Sequence, residues 1–376
     1  MAAYSVPPVE ELLSKRVQEM VLHGEEPLGP YICRSGDDVD EKEDIMDTSP
    51  IPIIDLNLLS SSTTSDNERE QELEKLGSAL SSWGCFQGIA HGISASLLDK
   101  IRQVSREFFN QPMEEKNRYA KSVVDFQGYG ADPVPEQGQS LDWSDRLFLE
   151  VFPEDGRQYN LWPQIPISFR EVLEDYSEKM KMVTEITSKA MAKSLKLEEK
   201  CFLEQFGKQA QLHARFNYYS PCQRPDLVLG LKPHADGTGY TIILQDEVGL
   251  QVLKDGKWYT VPKNPTALLV LMGDQMEIMS NGIFKSPVHR VVSNSERDRI
   301  SIAMFYTPEL GKEIGPEDDL VNMDRPRIYK KVTDYAETHW KFYQRGSEEE
   351  GTILINESSN DDLVCKLELF YLSSFS

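Results

Sequence analysis

The sequence predicts a mixed α and β fold, in which helices dominate the first half and an antiparallel sandwich or barrel forms the second. Apolar residues recur with helical spacing in several segments of the first half. After about residue 210, short apolar runs alternate with turn signals such as Asp255-Gly256 and Asn281-Gly282. Asp-Gly and Asn-Gly favour tight hairpins because both central residues adopt positive φ. Short strands at regular intervals are typical of a sandwich or barrel.

Composition sets limits on the class of protein. The chain has 376 residues and 39% hydrophobic side chains, enough for the core of one large domain or two ordinary ones. Its net charge of −22 disfavours binding to nucleic-acid phosphates. Five cysteines without a C-x-x-C spacing indicate reduced thiols. No apolar run reaches the ~18–20 residues that span a membrane, and no signal peptide is evident, so we expect a cytoplasmic monomer without membrane contact.

The elements of the first half follow in order from local patterns. Residues 1–50 are predicted to form a short helical arm followed by an acidic linker with almost nothing to bury. The next predicted elements are a strand at 51–56, a helix at 67–82, a buried strand within 82–93 and a helix at 95–109. Glycines and prolines then predict a loop over 121–140.

A long helix is predicted over roughly 168–194. Ser168 stands at its start and Glu171 follows three residues later, which is the signature of a capping box. Helical spacing returns near the C-terminus and predicts a further helix at 332–344.

Three hairpins are predicted between these helices. The first two have Asp255-Gly256 and Asn281-Gly282 at their turns. The third turns around residues 294–298, between the runs "HRVV" and "RISIAMFY".

A candidate metal site lies at the start of the strand-rich region. His234 and Asp236 are two residues apart, so on an extended segment their side chains share a face. A further histidine, His289, follows in "FKSPVHRVV". Two histidines and one carboxylate can form the facial triad of a non-haem iron(II) site, which leaves one face of the octahedron open. The alternative is a polar turn ahead of a strand, and the histidine–aspartate pair alone does not decide between them.

Arg299 and Ser301 favour the metal site. They are also two residues apart, at the start of the apolar strand "RISIAMFY". A buried arginine needs a partner, and the neighbouring sequence offers no obvious acidic one. A dicarboxylic co-substrate would supply it, with one end on the metal and the other paired with Arg299. The alternative is a solvated arginine in a hairpin.

These residues together resemble the signature of the Fe(II)- and 2-oxoglutarate-dependent dioxygenases. Four further segments are similar to segments of the same family: "FNYYSPC", "IPIIDL", "WGCFQGIAHGI" and "NGIFKSPVHR". The resemblance runs from about residue 51 to residue 345. It is strongest to the plant specialised-metabolism branch, with its senescence-related and codeine O-demethylase-like members.

The resemblance implies a double-stranded β-helix (jelly roll) core flanked by N-terminal and C-terminal helices. Together with the sequence pattern outside the matched region, it predicts the segments 1–50 (helical arm and acidic linker), 51–160 (non-haem dioxygenase N-terminal region), 161–207 (long helical segment), 208–308 (jelly-roll core), 309–355 (C-terminal helical region) and 356–376 (disordered tail).

The resemblance also implies site residues. The iron ligands would be His234, Asp236 and His289. The 2-oxoglutarate contacts would be Arg299, Ser301, Tyr219 and Asn217. The predicted substrate contacts are Phe305, Phe148, Arg146, Arg215 and Tyr240. Of these, Phe305 is in phase with Ser301, and its ring could stack on an aromatic or polycyclic substrate. A plain core phenylalanine is the alternative.

The implied activity is oxygenation of a small specialised metabolite, of alkaloid, phenylpropanoid, terpenoid or hormone-like type. O2 and 2-oxoglutarate would be consumed, succinate and CO2 released, and the substrate hydroxylated or O/N-demethylated, with ascorbate as a supporting reductant. Two other classes stay open. A jelly-roll metalloprotein such as an isomerase has no need for the Arg299 and Ser301 clamp. A non-catalytic ligand-binding member of the fold would be expected to lose the metal triad.

Overall fold

The computed structural model describes residues 15–33, 51–122, 125–132, 140–335 and 339. The α-helices are α1 (Val17–Leu22), α2 (Leu56–Ser60), α3 (Asp66–Ser82), α4 (Ala95–Phe109), α5 (Met113–Asn117), α6 (Phe169–Ser194), α7 (Cys201–Phe206) and α8 (Asp274–Met279). Short 3-10 turns lie at Gly29–Tyr31, Glu154–Gly156 and Asp318–Leu320. The helices predicted at 67–82, 95–109 and 168–194 are confirmed.

The strands form a large sheet, a small sheet and a two-stranded ribbon. The large sheet has the spatial order β1 (Ile53–Asp55), β2 (Cys85–Ile89), β10 (Leu268–Met272), β7 (Tyr240–Gln245), β12 (Arg299–Thr307), β5 (Gln211–Tyr219), β4 (Asp145–Phe152), β3 (Gly128–Gly130). The small sheet has the order β6 (Leu229–His234), β11 (His289–Val292), β8 (Leu250–Lys254), β9 (Lys257–Thr260). The ribbon pairs β13 (Glu313–Ile314) with β14 (Val332–Thr333). The predicted mixed α and β fold is confirmed.

The two faces of the large sheet pack against different partners. Along β7 successive side chains point to opposite faces, as in any strand. Ile242 and Leu244 join the main core, which the helices cover. Ile243 joins a smaller core with residues of the small sheet, among them Leu250 and Val291. The two sheets therefore enclose an interior, and the helices cover the outer face of the large sheet.

Helix α6 covers much of that outer face because its apolar residues recur every three or four positions. The predicted capping box at its start is wrong. Ser168 has helical dihedrals (φ −79°, ψ −4°) and makes no side-chain cap. A capping side chain needs an extended backbone at its own position. That geometry occurs instead at Ser65, where Ser65 and Glu68 form a capping box at the start of α3.

The hairpin at Asp255-Gly256 is confirmed. Asp255 and Gly256 have φ of 50° and 74°, and they join β8 to β9. Positive φ at both central residues matches the right-handed twist of the paired strands.

The other two predicted hairpins are wrong. Asn281 and Gly282 have positive φ, but they end helix α8, where the Gly282 amide donates to the Glu277 carbonyl at 2.8 Å. Residues 294–298 connect β11 to β12, which belong to different sheets. The turn residues at 281–282 therefore predicted the positive φ angles correctly, but they did not predict which elements the turn connects.

The remaining predictions have mixed outcomes. The strands predicted at 51–56 and within 82–93 are confirmed as β1 and β2. The loop predicted at 121–140 contains the short strand β3, and its residues 123–124 and 133–139 lie outside the described residues. The helix predicted at 332–344 is wrong at its start, because Val332–Thr333 form β14; helical backbone is described at Tyr335 and His339. The predictions for residues 1–14, for the acidic linker, for 336–338 and 340–344 and for the tail 356–376 fall outside the described residues.

The helices were compared with the length and hydropathy that a membrane-spanning helix requires. Among the described residues, no helix combines the length and apolar character needed to cross a bilayer.

Candidate active site

Three potential metal ligands converge where the small sheet meets the loop before β7. His234 ends β6, His289 begins β11, and the two residues are direct partners in the antiparallel register. The His234 Nε2 atom lies 3.4 Å and the His289 Nε2 atom 3.8 Å from Asp236 Oδ1. One donor atom from each residue lies within 4.8 Å of the others. Strand pairing thus brings together residues 55 positions apart in sequence.

Each of these side chains is oriented by a second contact. The Nδ1 atom of His234 lies 2.9 Å from the Lys232 carbonyl oxygen, and that of His289 lies 3.3 Å from the Pro287 carbonyl oxygen. Nδ1–H donation to these carbonyls leaves Nε2 as the lone-pair nitrogen facing Asp236. The Thr241 hydroxyl donates to Asp236 Oδ2, which leaves Oδ1 toward the histidines.

The charge states suit a metal cation. Burial would raise the pKa of Asp236, but His289 and His234 together with the Thr241 hydroxyl hold it well below its usual range. Burial lowers the pKa of His289 to about 4, so its ring is neutral at neutral pH. Imidazole nitrogens and an ionised carboxylate are a donor set that binds divalent iron. The residues present therefore fit the metal that the sequence implies.

Arg299 lies deeper in the same interior as a buried cation. It is 1% exposed, its Nε donates to the Glu247 carbonyl at 3.0 Å and its Nη2 donates to Gln245 Oε1 at 2.9 Å. Among the described residues its Nη1 has no hydrogen-bond partner. Its charge lies 4.9 Å from the centre of the Tyr219 ring. A buried, incompletely bonded guanidinium fits an incoming carboxylate.

The other predicted co-substrate residues share this face. In the register of β12 with β5, Arg299 pairs with Tyr219 and Ser301 pairs with Asn217. Directly paired side chains lie on the same face of a sheet. Asn217 Nδ2 donates to Ser301 Oγ at 3.2 Å. The structure thus brings all four residues predicted to contact 2-oxoglutarate to one wall of the interior.

An aromatic cluster lies further along the same wall. The rings of Phe148 and Phe305 stack with centroids 6.1 Å apart, and Phe148 also stacks on His213 at 5.2 Å. All three side chains are only partly buried. Burial lowers the pKa of His213 to about 4, so it is a neutral aromatic ring at neutral pH. The cluster offers flat surfaces on which a planar or polycyclic molecule could stack.

Arg146 and Arg215 lie on this wall but are bound to protein. The Arg146 Nε and Arg215 Nη2 atoms each donate to one oxygen of Asp132 at 2.8 Å. Arg146 also donates to the carbonyls of Phe126 and Gly128, and it is 1% exposed. Within the described residues the Nη2 atom of Arg146 has no hydrogen-bond partner, so the substrate contact predicted for Arg146 stays a prediction.

Tyr240 is placed on the opposite face of the sheet. It is fully buried, its hydroxyl lies 2.9 Å from Ser188 Oγ and donates to the Thr184 carbonyl, both in α6. Its ring packs edge-on against Phe206. The structure therefore contradicts the predicted substrate contact of Tyr240.

Four residues of the site were missed by sequence reasoning. His213 lies two residues before Arg215 on β5, and that spacing could have placed it on the same wall. Thr241 and Gln245 lie in phase on β7, and that alternation could have placed them with Arg299 once the strand was oriented. Asp132 had no such signal, because it lies in an irregular segment.

Comparison with known proteins identifies the family. Residues 210–308 match the 2OG-Fe(II) oxygenase superfamily, and residues 51–165 match the non-haem dioxygenase in morphine synthesis N-terminal family. The chain is 40% identical to Protein SRG1 of Arabidopsis thaliana, over 87% of this chain and 90% of that protein. This chain belongs to the 2OG-Fe(II) oxygenase superfamily. It is an Fe(II)- and 2-oxoglutarate-dependent dioxygenase, as its sequence predicted.

Further relatives agree with this family. Codeine O-demethylase of Papaver somniferum is 39% identical over 87% of this chain and 89% of that protein. A crystal structure of JOX2 in complex with 2OG, Fe and JA superposes with a TM-score of 0.77 at 34% identity, and covers 90% of this chain and 96% of that one. The predicted double-stranded β-helix (jelly roll) core is thereby confirmed. The division of the chain into six segments stays a prediction.

Proposed function

We propose that this oxygenase hydroxylates, or removes an O- or N-methyl group from, a small specialised metabolite, with release of succinate and CO2. One observation carries the proposal. The cluster of His234, Asp236 and His289 faces the same enclosed interior as Arg299, a buried cation with an unbonded Nη1. A metal and a dicarboxylate would complete both sets of contacts at once.

In this proposal His234, Asp236 and His289 hold Fe(II). Bound iron and 2-oxoglutarate supply the oxidation of a C–H bond by O2, and ascorbate keeps the iron reduced. Arg299 pairs with the distal carboxylate, and Ser301 and Tyr219 offer hydroxyl groups beside it. Asn217 would lie near the end of the co-substrate that chelates the metal.

The protein supports the reaction by orientation and exclusion of water. The carbonyls of Lys232 and Pro287 fix the two imidazole rings, and Thr241 fixes the carboxylate of Asp236. The small sheet covers the interior with the side chains of Leu250, Val252 and Val291. Water is thereby kept from a reaction whose intermediates it would quench.

The substrate is proposed to bind against Phe148 and Phe305. These two stacked rings lie on the wall of the interior, and their aromatic faces suit an aromatic or polycyclic molecule. Relatives with names that specify a substrate, such as codeine O-demethylase and thebaine 6-O-demethylase, support this size class. Alkaloids, phenylpropanoids, terpenoids and hormone-like molecules all fall within it. Arg215 borders the same wall, where Phe148 is its partner in the register of β4 with β5.

The test is turnover of purified protein with Fe(II), ascorbate and 2-oxoglutarate against a panel of such metabolites. We expect succinate formation that rises with a true substrate, and a product that gains 16 mass units on hydroxylation or loses 14 on demethylation. The Asp236→Ala variant should form neither succinate nor product. Succinate formation that survives in that variant would contradict the proposal, and tight ligand binding without turnover would favour a non-catalytic role.

A further inference from the structure

Asp132 connects two neighbouring strands at the edge of the candidate site. Its Oδ1 accepts from Arg146 Nε of β4, and its Oδ2 accepts from Arg215 Nη2 of β5, both at 2.8 Å. Its side chain is 18% exposed. Burial would raise the pKa of Asp132, but Arg215 and Arg146 hold it well below its usual range, so the carboxylate is charged at neutral pH.

The contacts of Arg215 continue from Asp132 toward the co-substrate wall. Arg215 Nε donates to Asn217 Oδ1 at 2.6 Å. The same amide donates from Nδ2 to Ser301 Oγ at 3.2 Å. Arg215 and Asn217 are two residues apart on β5, so their side chains share the interior face. A continuous chain of hydrogen bonds therefore runs from Asp132 through Arg215 and Asn217 to Ser301.

This chain determines which way the Asn217 amide points. An amide can present either its oxygen or its nitrogen to a neighbour. Because Arg215 is a donor only, it holds Oδ1 on its own side and directs Nδ2 toward Ser301. Asp132 in turn fixes Arg215, since a guanidinium bound to a carboxylate keeps one orientation.

We propose that Asp132 is a positioning residue for 2-oxoglutarate. It acts through Arg215, by keeping the Asn217 amide with its Nδ2 toward Ser301 and the co-substrate. The proposal rests on the proposed function, in which Asn217 and Ser301 contact 2-oxoglutarate. Asp132 itself contacts neither metal nor co-substrate, and both of its oxygens are bound to arginines.

The test measures binding rather than turnover. 2-Oxoglutarate is titrated by calorimetry into protein loaded with Mn(II), which replaces Fe(II) so that no reaction occurs. Asp132→Asn keeps the volume of the side chain and removes its charge. We expect about five- to tenfold weaker binding of 2-oxoglutarate, as for the loss of one hydrogen bond to a charged or polar group. Mn(II) affinity should stay the same.

A double-mutant cycle separates positioning from general damage. In an Asn217→Ala background the chain is already broken, so Asp132→Asn should weaken 2-oxoglutarate binding no further. Arg215→Lys, which keeps the charge but cannot reach both Asp132 and Asn217, should behave like Asp132→Asn in the same cycle. If the Asp132→Asn variant does not fold, the Arg215→Lys variant is used for the test in its place. Glu72→Gln removes another buried carboxylate, far from the site on α3, and should leave 2-oxoglutarate affinity at the wild-type value.

Two results would overturn the proposal. The first is wild-type affinity for 2-oxoglutarate in Asp132→Asn and Arg215→Lys. The second is a full additional loss when either is combined with Asn217→Ala. In both cases the proposed function stands if the wild-type protein binds 2-oxoglutarate. Wild-type protein that binds Mn(II) but no 2-oxoglutarate would instead contradict the proposed site, and the role of Asp132 with it.

Discussion

The iron end of the interior (His234, Asp236 and His289) and its substrate end (Phe148, His213 and Phe305) are held in place by different kinds of contact. At the iron end each histidine is bound by the carbonyl of the residue two positions before it. At the substrate end the rings pack on one another across three strands, β4, β5 and β12. Local contacts therefore fix the iron end, and tertiary packing fixes the substrate end.

This difference indicates which side chains can be substituted without moving the backbone that holds them. A histidine held by the carbonyl two residues before it keeps its orientation as long as that short segment keeps its backbone conformation. A ring held by two other rings can be replaced without moving the strand beneath it, although its neighbours must repack. The substrate end can thus change between relatives while the iron end stays the same, as expected when function is carried by sites on a common fold.

The largest effect is expected at the iron end. Asp236→Ala removes the charged oxygen near both Nε2 atoms, and we expect metal affinity to fall more than about 100-fold, beyond the 10- to 100-fold typical of outer contacts. Calorimetric titration with Mn(II) measures this loss. Thr241→Val removes the hydroxyl that donates to Asp236 Oδ2 and lies 3.4 Å from Thr238 Oγ1, but it keeps Asp236 itself, so the loss of metal affinity should lie within that smaller range. Equal losses in the two variants would contradict the assignment of Asp236 as a ligand.

Arg299→Gln should have the next largest effect, on 2-oxoglutarate rather than on metal. Charged hydrogen bonds contribute about 1.5–3 kcal/mol, which corresponds to about 10- to 100-fold in affinity. The matched control is Arg297→Gln, because Arg297 lies two residues earlier with its side chain 67% exposed. Binding of 2-oxoglutarate to Mn(II)-loaded protein distinguishes them. A comparable loss in both variants would mean that net charge, not the buried position of Arg299, attracts the co-substrate.

Substitutions at the substrate end should change the KM for the metabolite and leave the affinity for 2-oxoglutarate unchanged. Phe148→Ala and Phe305→Ala remove stacking surface, and we expect KM for the metabolite to rise about 2- to 10-fold, from the roughly 0.5–1.5 kcal/mol of an aromatic pair. The affinity for 2-oxoglutarate, measured on the same samples without metabolite, serves as the internal reference. A loss of 2-oxoglutarate affinity as large as the change in KM would remove the distinction between the two ends.

Tyr240→Phe tests the other face of the same sheet. The hydroxyl of Tyr240 bonds to α6, so its removal should lower the free energy of unfolding by about 1 kcal/mol. The KM for the metabolite should not change, because the ring points away from the interior. Urea denaturation and steady-state kinetics measure the two quantities. A raised KM with unchanged stability would restore Tyr240 as a substrate contact.

The iron end could be predicted from the sequence because residues two apart on an extended segment share a face. His234 and Asp236, and likewise Arg299 and Ser301, are pairs two residues apart, and each pair does lie together in the interior. Tyr240 shows the limit of this spacing: counting in twos from Asp236 reaches Tyr240, but residues 237–239 form no strand and the alternation begins only with β7. Thr241, not Tyr240, therefore faces Asp236.

The substrate end could be predicted only in part, because its contacts depend on pairing between distant segments. Asp132 lies 14 residues from Arg146 and 83 residues from Arg215, and no spacing rule connects them. The turn at Asn281-Gly282 shows a related limit. Positive φ at both residues was implied by their types, but a helix end and a hairpin satisfy it equally.

The smallest effect is expected from His213, as a dependence of stability on pH. Burial lowers the pKa of His213 from 6.5 to about 4. Below pH 6.5 the unfolded chain takes up a proton at this residue that the folded protein does not, so the contribution of His213 to stability is lost progressively as pH falls from about 6.5 to about 4. His213→Phe keeps a ring beside Phe148 and removes the titration.

The decrease in free energy of unfolding between pH 7.5 and pH 5 should be smaller in the His213→Phe variant than in the wild type, as measured by urea denaturation of the metal-free protein. His289 and His91 titrate in both proteins, so they cancel in the difference. The same decrease in both would show that His213 is solvated and that the substrate end is open to water.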